Sequence, residues 1–339
     1  MRSTNPTLAN PGKQKGLSLI ELMVAVTIGL ILLAGVIQIF TSNKQTYRVQ
    51  AAMARVQENG RLAMQLLSQD IRMADFWGCN STASKVSSHL NLAADEPYKV
   101  FATYHHAKPT DGGIYGTDDT EGAPSATNRA DTIVVQGAFG PGVPLTSHVG
   151  EQFILPATTG ITLNEPIVVS NCLKTDLAQV TSVNTATGEV LAQTGVGTPG
   201  NNPAITFPAY GTDAQVYVPR RIEYSIQDDG TTGERGLYMK IDGSPQMMLV
   251  LGVEDMQILY GVDTSADLVP DQYVSAATLN TGTADQKFAK WANVITVRVE
   301  LTVRSDDNIA TQTTDAGDRR LRRTFASTIA VRNRVIDKS

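Results

Sequence analysis

From Leu17 to Phe40 the chain reads LSLIELMVAVTIGLILLAGVIQIF, 24 residues with a single charge, at Glu21. A helix over Leu22–Phe40 rising about 1.5 Å per residue covers roughly 28 Å, close to the ~30 Å hydrocarbon core of a bilayer, so this segment is expected to span a membrane. Arg2, Lys13 and Lys15 precede it, with no acid among residues 1–16. Basic residues ahead of a first apolar segment hold that side in the cytoplasm and send the C-terminal body across. An ordinary secretory signal places small residues and a cleavage site after the apolar stretch. Here Ile37-Gln38-Ile39-Phe40 close it without an A-x-A pattern, and the small residue comes before, in Lys15-Gly16-Leu17-Ser18-Leu19-Ile20-Glu21.

That arrangement resembles the prepilin leader of type IV pilins and type II secretion pseudopilins. The resemblance implies that a membrane peptidase cuts between Gly16 and Leu17 and methylates the new terminus at Leu17, keeping the apolar helix in the product. Family members usually begin with Phe, so Leu17 departs from the pattern, and cleavage is expected to survive the change. Glu21 is the fifth residue after Gly16, where pilins carry their characteristic glutamate. A carboxylate near the bilayer costs about 2.5–3.5 kcal/mol on insertion scales. The positive end of its own helix offsets part of that. The resemblance adds the free amine of a neighbouring subunit, which makes Glu21 the acid that sets register during assembly. The plainer alternative has Glu21 merely snorkelling to the headgroups at the edge of an anchor.

Past Phe40 the composition turns polar while the helical period continues. Val49, Met53, Val56, Gly60, Ala63, Leu67, Ile71 and Ala74 recur every three or four residues, one helical stripe, with Arg48, Arg55, Glu58, Arg61 and Arg72 between them on a wetted face. The two segments are expected to join into one helix of about 59 residues, roughly 88 Å long. Gly60 on the stripe reads as a point of close packing.

Beyond Trp77, short β-prone runs alternate with Gly, Pro, Asn and Asp, which argues for antiparallel sheet with long loops. Expected strands are 132–136, 152–155, 167–170, 178–183, 189–192, 215–218, 221–226, 237–241 and 247–250. The clearest is 293–304, where Ile295, Val297, Val299, Leu301 and Val303 alternate with Thr296, Arg298, Glu300 and Thr302. Residues 321–332 read as a final strand and Asp228-Asp229-Gly230 as a hairpin tip. Stretches 107–130 and 195–212 read as exposed loops. The fold class is α+β, a pilin-like long N-terminal helix packed on an antiparallel β-sheet body.

Gly252-Val253-Glu254-Asp255-Met256, Tyr260-Gly261-Val262-Asp263, Trp291 leading into the alternating strand, Arg323-Thr324-Phe325 and Arg332-Asn333-Arg334 resemble the PilW group of minor pilins. These in turn are similar to the J-type pseudopilins of type II secretion. The resemblance implies four parts: a leader peptide at 1–16, a transmembrane and assembly helix at 17–40, its amphipathic continuation at 41–79, and a periplasmic β-rich body at 80–339. It implies a low-copy subunit that helps prime type IV pilus assembly at or near the tip and supports motility and adhesion. The implied partners are prepilin peptidase, other minor pilins, a tip adhesin, the major pilin and, before assembly, the inner membrane. A J-type pseudopilin would share every N-terminal feature. A single-pass anchored periplasmic enzyme or binding protein is the rival from another class.

The remaining residues point to little chemistry. Removing the three basic residues of the leader from a net charge of −5 leaves −8, a poor balance for binding nucleic acid. The two cysteines, Cys79 and Cys172, allow one bridge, which in an oxidising compartment would tie the helix end to the sheet; two separate buried thiols are the alternative. His105-His106 would point to opposite faces of a strand, which suits shared metal binding badly. Asp118, Asp119 and Glu121 offer oxygen ligands, but nothing matches a calcium loop. Arg319, Arg320, Arg322 and Arg323 read as a solvated strand edge. There is no nucleophile elbow, phosphate loop or His-Glu-x-x-His, and the histidines at 89, 105, 106 and 148 lie in loop-like sequence. No catalytic residue, metal site or cofactor is therefore expected.

Overall fold

A computed structural model describes residues 16, 18–79, 86–91, 113–119, 130–156, 160–198, 200–204, 206–230, 233–241, 244–310, 313 and 317–336. The chain divides into two compact units, Met1–Ala52 and Met53–Ser339. Helix α1 (Leu19–Met73) is a single element of 55 residues, so the two helical segments do join. In the first unit every described residue from Gly16 to Arg48 is exposed, including apolar side chains from Leu19 to Phe40. So much contiguous apolar surface requires a non-aqueous surrounding or partner.

In the second unit the 3.6-residue period does its work. Val56, Gly60, Ala63, Leu67, Ile71 and Ala74 are buried, while Arg55, Glu58, Arg61 and Arg72 are exposed. Eighteen strands follow among the described residues: β1 (Val86–Ser88), β2 (Ile114–Thr117), β3 (Thr132–Gly137), β4 (Val143–Pro144), β5 (Ser147–Val149), β6 (Gln152–Ile154), β7 (Pro166–Ser170), β8 (Thr175–Gln179), β9 (Ser182–Asn184), β10 (Glu189–Leu191), β11 (Gln215–Tyr217), β12 (Arg220–Asp228), β13 (Arg235–Ile241), β14 (Met247–Leu251), β15 (Val253–Val262), β16 (Gln272–Val274), β17 (Val294–Arg304) and β18 (Arg322–Ala330). Short helices α2 (Ala276–Leu279) and α3 (Ala284–Ala292) precede β17, and α4 (Arg332–Ile336) follows β18.

Two sheets, β14-β13-β12-β3-β2 and β16-β15-β17-β18, share one core with the α1 stripe. Val294, Val297, Val299, Leu301 and Val303 of β17 lie in that core, while Arg298 and Glu300 are exposed, as the alternation requires. Between β3 and β12, neighbours in one sheet, the chain leaves to build strands β4 to β11. These form, with β1, the sheets β1-β8-β7-β11-β4 and β5-β6-β10-β9 around a second core of Phe153, Leu155, Ile167, Val169, Val190 and Val216 among others.

Several sequence expectations are corrected. The strand at 178–183 is two: β8 ends at Gln179, Val180 donates to Glu165 O and Thr181 to Leu191 O, and β9 joins another sheet. The 107–130 loop contains β2, whose Ile114 is fully buried. The described residues of the 195–212 segment form no strand, yet they are not simply exposed. Asn201 is buried there, accepting from Gln179 N and donating to Gln179 O, both at 2.8 Å. The final strand stops at Ala330 and α4 takes over. One strand pair, β1 with β8, is parallel. The long β15 was not expected, nor were α2 and α3; α3 starts with a capping box between Thr283 and Gln286.

Gly60 does mark a close approach. A Cβ there would collide with the ring of Phe325 on β18. Overpacking a filled site costs about 1–3 kcal/mol, whereas Gly→Ala inside a helix gains about 1 kcal/mol. Gly60→Ala is therefore expected to destabilise the protein on balance. Combined with Phe325→Leu, which removes the obstruction, the same change should become stabilising. Denaturant unfolding of the four variants checks the sign reversal.

Candidate functional site

Ser18 starts α1. Its Oγ accepts from Glu21 N at 3.3 Å, and its carbonyl oxygen accepts from Glu21 N and Leu22 N at 3.1 Å each. Ser-x-x-Glu is a sequence signature of a helix start, and it was available in the sequence. It puts Glu21 in the first turn, exposed, where the unpaired amides at the positive end of the helix favour a carboxylate. Gly16 is exposed, and no atom approaches within 4 Å of where its Cβ would stand. Leu17, the expected methylated terminus, lies outside the described residues. From Leu22 to Ile37 the one polar side chain is Thr27, and its hydroxyl donates back to Met23 O (3.0 Å) and Val24 O (2.9 Å). Polar demand along this stretch is met internally, and Glu21 is the one charged side chain of the apolar segment.

At the other end of α1, Asp75 sits at φ 63°, buried. Its Oδ1 accepts from Trp77 Nε1 and its Oδ2 from Arg334 Nε, both at 2.8 Å. Arg334 also donates through Nη1 to Trp291 O (2.5 Å) and Val294 O (2.8 Å). Asn333 Nδ2 reaches Ala74 O at 3.0 Å. Asn333 and Arg334 of α4 thus clamp the helix end to α3 and β17.

Cys79 and Cys172 are joined by a disulfide, with Cα atoms 4.7 Å apart. It ties the segment after α1 to the turn between β7 and β8 of the inserted sheets. Asp118 and Asp119 do not form a ligand set: Asp118 accepts from Ala276 N (2.8 Å) and Ala277 N (2.7 Å) at the start of α2, and Asp119 N donates to Asp131. Glu121 and His105-His106 lie outside the described residues. Burial pushes the Asp131 carboxyl up to about 6 against the amides of Asp119 and Ile258 that hold it, and Asp118 and Asp119 add to the rise. Such a group costs stability as pH rises through that value.

The two described histidines are also structural. His89 is buried just after β1, bonded to Asp176 Oδ1 at 2.6 Å and stacked on Phe207 at 4.0 Å. Tyr210 donates to the other oxygen of Asp176, and burial, then Asp176, push its phenol well up. His148 lies in β5, not a loop; it stacks on Phe153, and burial pushes its imidazole down. Among the described residues no group of three or more His, Cys, Asp or Glu side chains gathers to hold a metal ion.

The reading of the arginine run is corrected in part. β18 is an edge strand, and Arg319 and Arg323 are exposed as expected, but Arg320 and Arg322 are partly buried in ion pairs. Arg320 grips Glu234 with two bonds of 2.8 Å, and Arg322 grips Glu254 (2.6 and 3.0 Å) and Asp318 (2.7 and 2.8 Å). Arg304 lies between them, 3.2 Å from Glu234 and 3.4 Å from Glu254. The fork from Arg320 holds Glu234 below its ordinary value. Burial works the other way on Glu254, but Arg322 and Arg304 outweigh it and hold it low too. A depressed carboxyl contributes stability that is present above its unfolded value, 4.5, and lost as pH falls through the folded one. Glu234→Gln is thus expected to be less stable than the parent at neutral pH, with the gap closing as pH falls below 4.5. Unfolding at fixed ionic strength reads it; a gap constant with pH contradicts the pairing.

Residues 11–37 match the family model for the prokaryotic N-terminal methylation motif, and residues 223–333 match that for type IV pilus-assembly protein W. No curated protein and no solved structure matches the chain. A methylation motif on a long apolar helix, continued into a helix packed on antiparallel sheet, defines a type IV pilin-like protein. The match to type IV pilus-assembly protein W covers about a third of the chain and supports a type IV pilus-associated protein of that kind. The motif implies processing by a prepilin peptidase and association with pilus components, and the helix fits membrane anchoring. The inserted strands β4 to β11 lie outside the PilW match.

Proposed function

We propose that the chain is a minor pilin that helps prime type IV pilus assembly and sits at or near the pilus tip, supporting pilus-dependent motility and adhesion. One observation carries this reading: the methylation motif and the PilW-type sheet occur on one chain, joined by a helix with an apolar, exposed front. Residues 1–16 are the leader, cut before Leu17, which becomes the methylated terminus. Residues 17–40 cross the inner membrane once, residues 41–73 continue the helix, and 74–79 lead into a periplasmic body at 80–339. Glu21 pairs with the free amine of a neighbouring subunit during assembly. The partners are prepilin peptidase, other minor pilins, a tip adhesin and the major pilin; the protein performs no catalysis of its own. Deletion of the gene in a pilus-bearing host is expected to remove surface pili, with restoration by the intact chain. A deletion strain with normal piliation but a secretion defect would favour the J-type pseudopilin instead.

A further inference from the structure

Beyond Phe40, α1 changes character abruptly on one face. Ile37, Phe40, Lys44 and Tyr47 are spaced three or four apart and Arg48 stands four beyond Lys44, so they line one side of the helix, and all are exposed. No acid occurs between Glu21 and Glu58, so neither Lys44 nor Arg48 has a carboxylate within one helical turn to pair with. If the hydrocarbon layer ends near Phe40, Lys44 stands about 6 Å beyond it and Arg48 about 12 Å beyond. Lys44 thus falls within the roughly 5–8 Å of polar layer on each side of a bilayer core, and Arg48 stands just beyond it. Their long stems reach back along the helix while the charges stay in the polar layer. Tyr47, 72% exposed, has the amphipathic ring found at membrane–water boundaries.

We infer that Lys44, Tyr47 and Arg48 form a collar that binds anionic phospholipid headgroups on the side of the membrane facing the body. The inference rests on the anchored reading above. The charge complementarity is direct: an unpaired cationic pair, continuous with the apolar face that enters the bilayer, meets phosphodiester anions. The collar would hold the subunit at a fixed depth until assembly withdraws it.

The test lets the full-length chain equilibrate between zwitterionic nanodiscs and vesicles of phosphatidylcholine with or without 30% phosphatidylglycerol. Each basic residue near an anionic surface contributes about fivefold, so the intact chain should prefer the anionic vesicles by roughly 25-fold more than Lys44→Gln/Arg48→Gln does. That margin should shrink at high salt. Equal partitioning of the intact chain overturns the proposal. A preference that survives in the double variant assigns it to Arg2, Lys13 and Lys15 of the leader and overturns the proposal too. If the double variant partitions like the parent yet assembles no fibre, the collar meets carboxylates of a neighbouring subunit instead. A chain that enters neither membrane overturns the anchored reading along with this one, whereas equal partitioning leaves the anchor standing.

Discussion

Glu21→Ala is expected to abolish surface pili while leaving the chain inserted in the inner membrane. Removing the carboxylate makes the apolar segment easier to insert, since a charge there costs about 2.5–3.5 kcal/mol on insertion scales. The same magnitude, applied to an amine left unpaired in an assembling fibre, corresponds to roughly a hundredfold against assembly. Insertion and assembly should therefore move in opposite directions, which a general folding defect cannot produce. Ser18 makes the local comparison clean, because its bonds to Glu21 and Leu22 use the backbone amides and survive the substitution. Glu21→Gln keeps the shape and loses the charge, so it should fail to assemble as Glu21→Ala does. Normal piliation in either variant contradicts the assigned role.

Arg334→Ala is expected to destabilise the body by about 3–5 kcal/mol, the usual consequence of removing one member of a buried ion pair. The side chains of Arg334 and Asp75 are only 3% and 6% exposed, so water cannot replace the lost guanidinium. Trp291 O and Val294 O lose their donor in the same step. For a domain of this size that corresponds to a fall in Tm of roughly 10 °C. Adding Asp75→Ala to the variant should recover part of the loss, because the stranded carboxylate is then gone. Thermal unfolding of the three variants decides it, and a single variant within about 0.5 kcal/mol of the parent, as at ordinary surface sites, contradicts the clamp.

Features written in local periodicity were legible in the sequence. The α1 stripe from Val56 to Ala74 and the alternation through β17 translate directly into burial, because side-chain direction there follows from the backbone alone. β15 escaped notice because Glu254, Asp255 and Gln257 interrupt its apolar run. In the fold Glu254 faces Arg304 and Arg322, which makes the charge tolerable. Contacts between distant residues left no local trace. Arg334 and Asp75 are 259 positions apart, and Arg320 and Glu234 are 86 apart. The arginine run thus read as a solvated edge throughout, which holds for Arg319 and Arg323 but not for the ion-paired Arg320 and Arg322. The N-terminal motif was legible because Gly16, Glu21 and the apolar run behind them are written along one stretch of chain, within the residues that match the methylation motif, whereas the Ser18 cap was not read from it.

The most direct measurement is the N-terminal mass of the chain recovered from pili sheared off intact cells. Removing 16 residues from 339 leaves 323, so the chain in that fraction should begin with N-methylated Leu17. A chain beginning at Met1, or one found only in the membrane and absent from the sheared pili, would contradict the account.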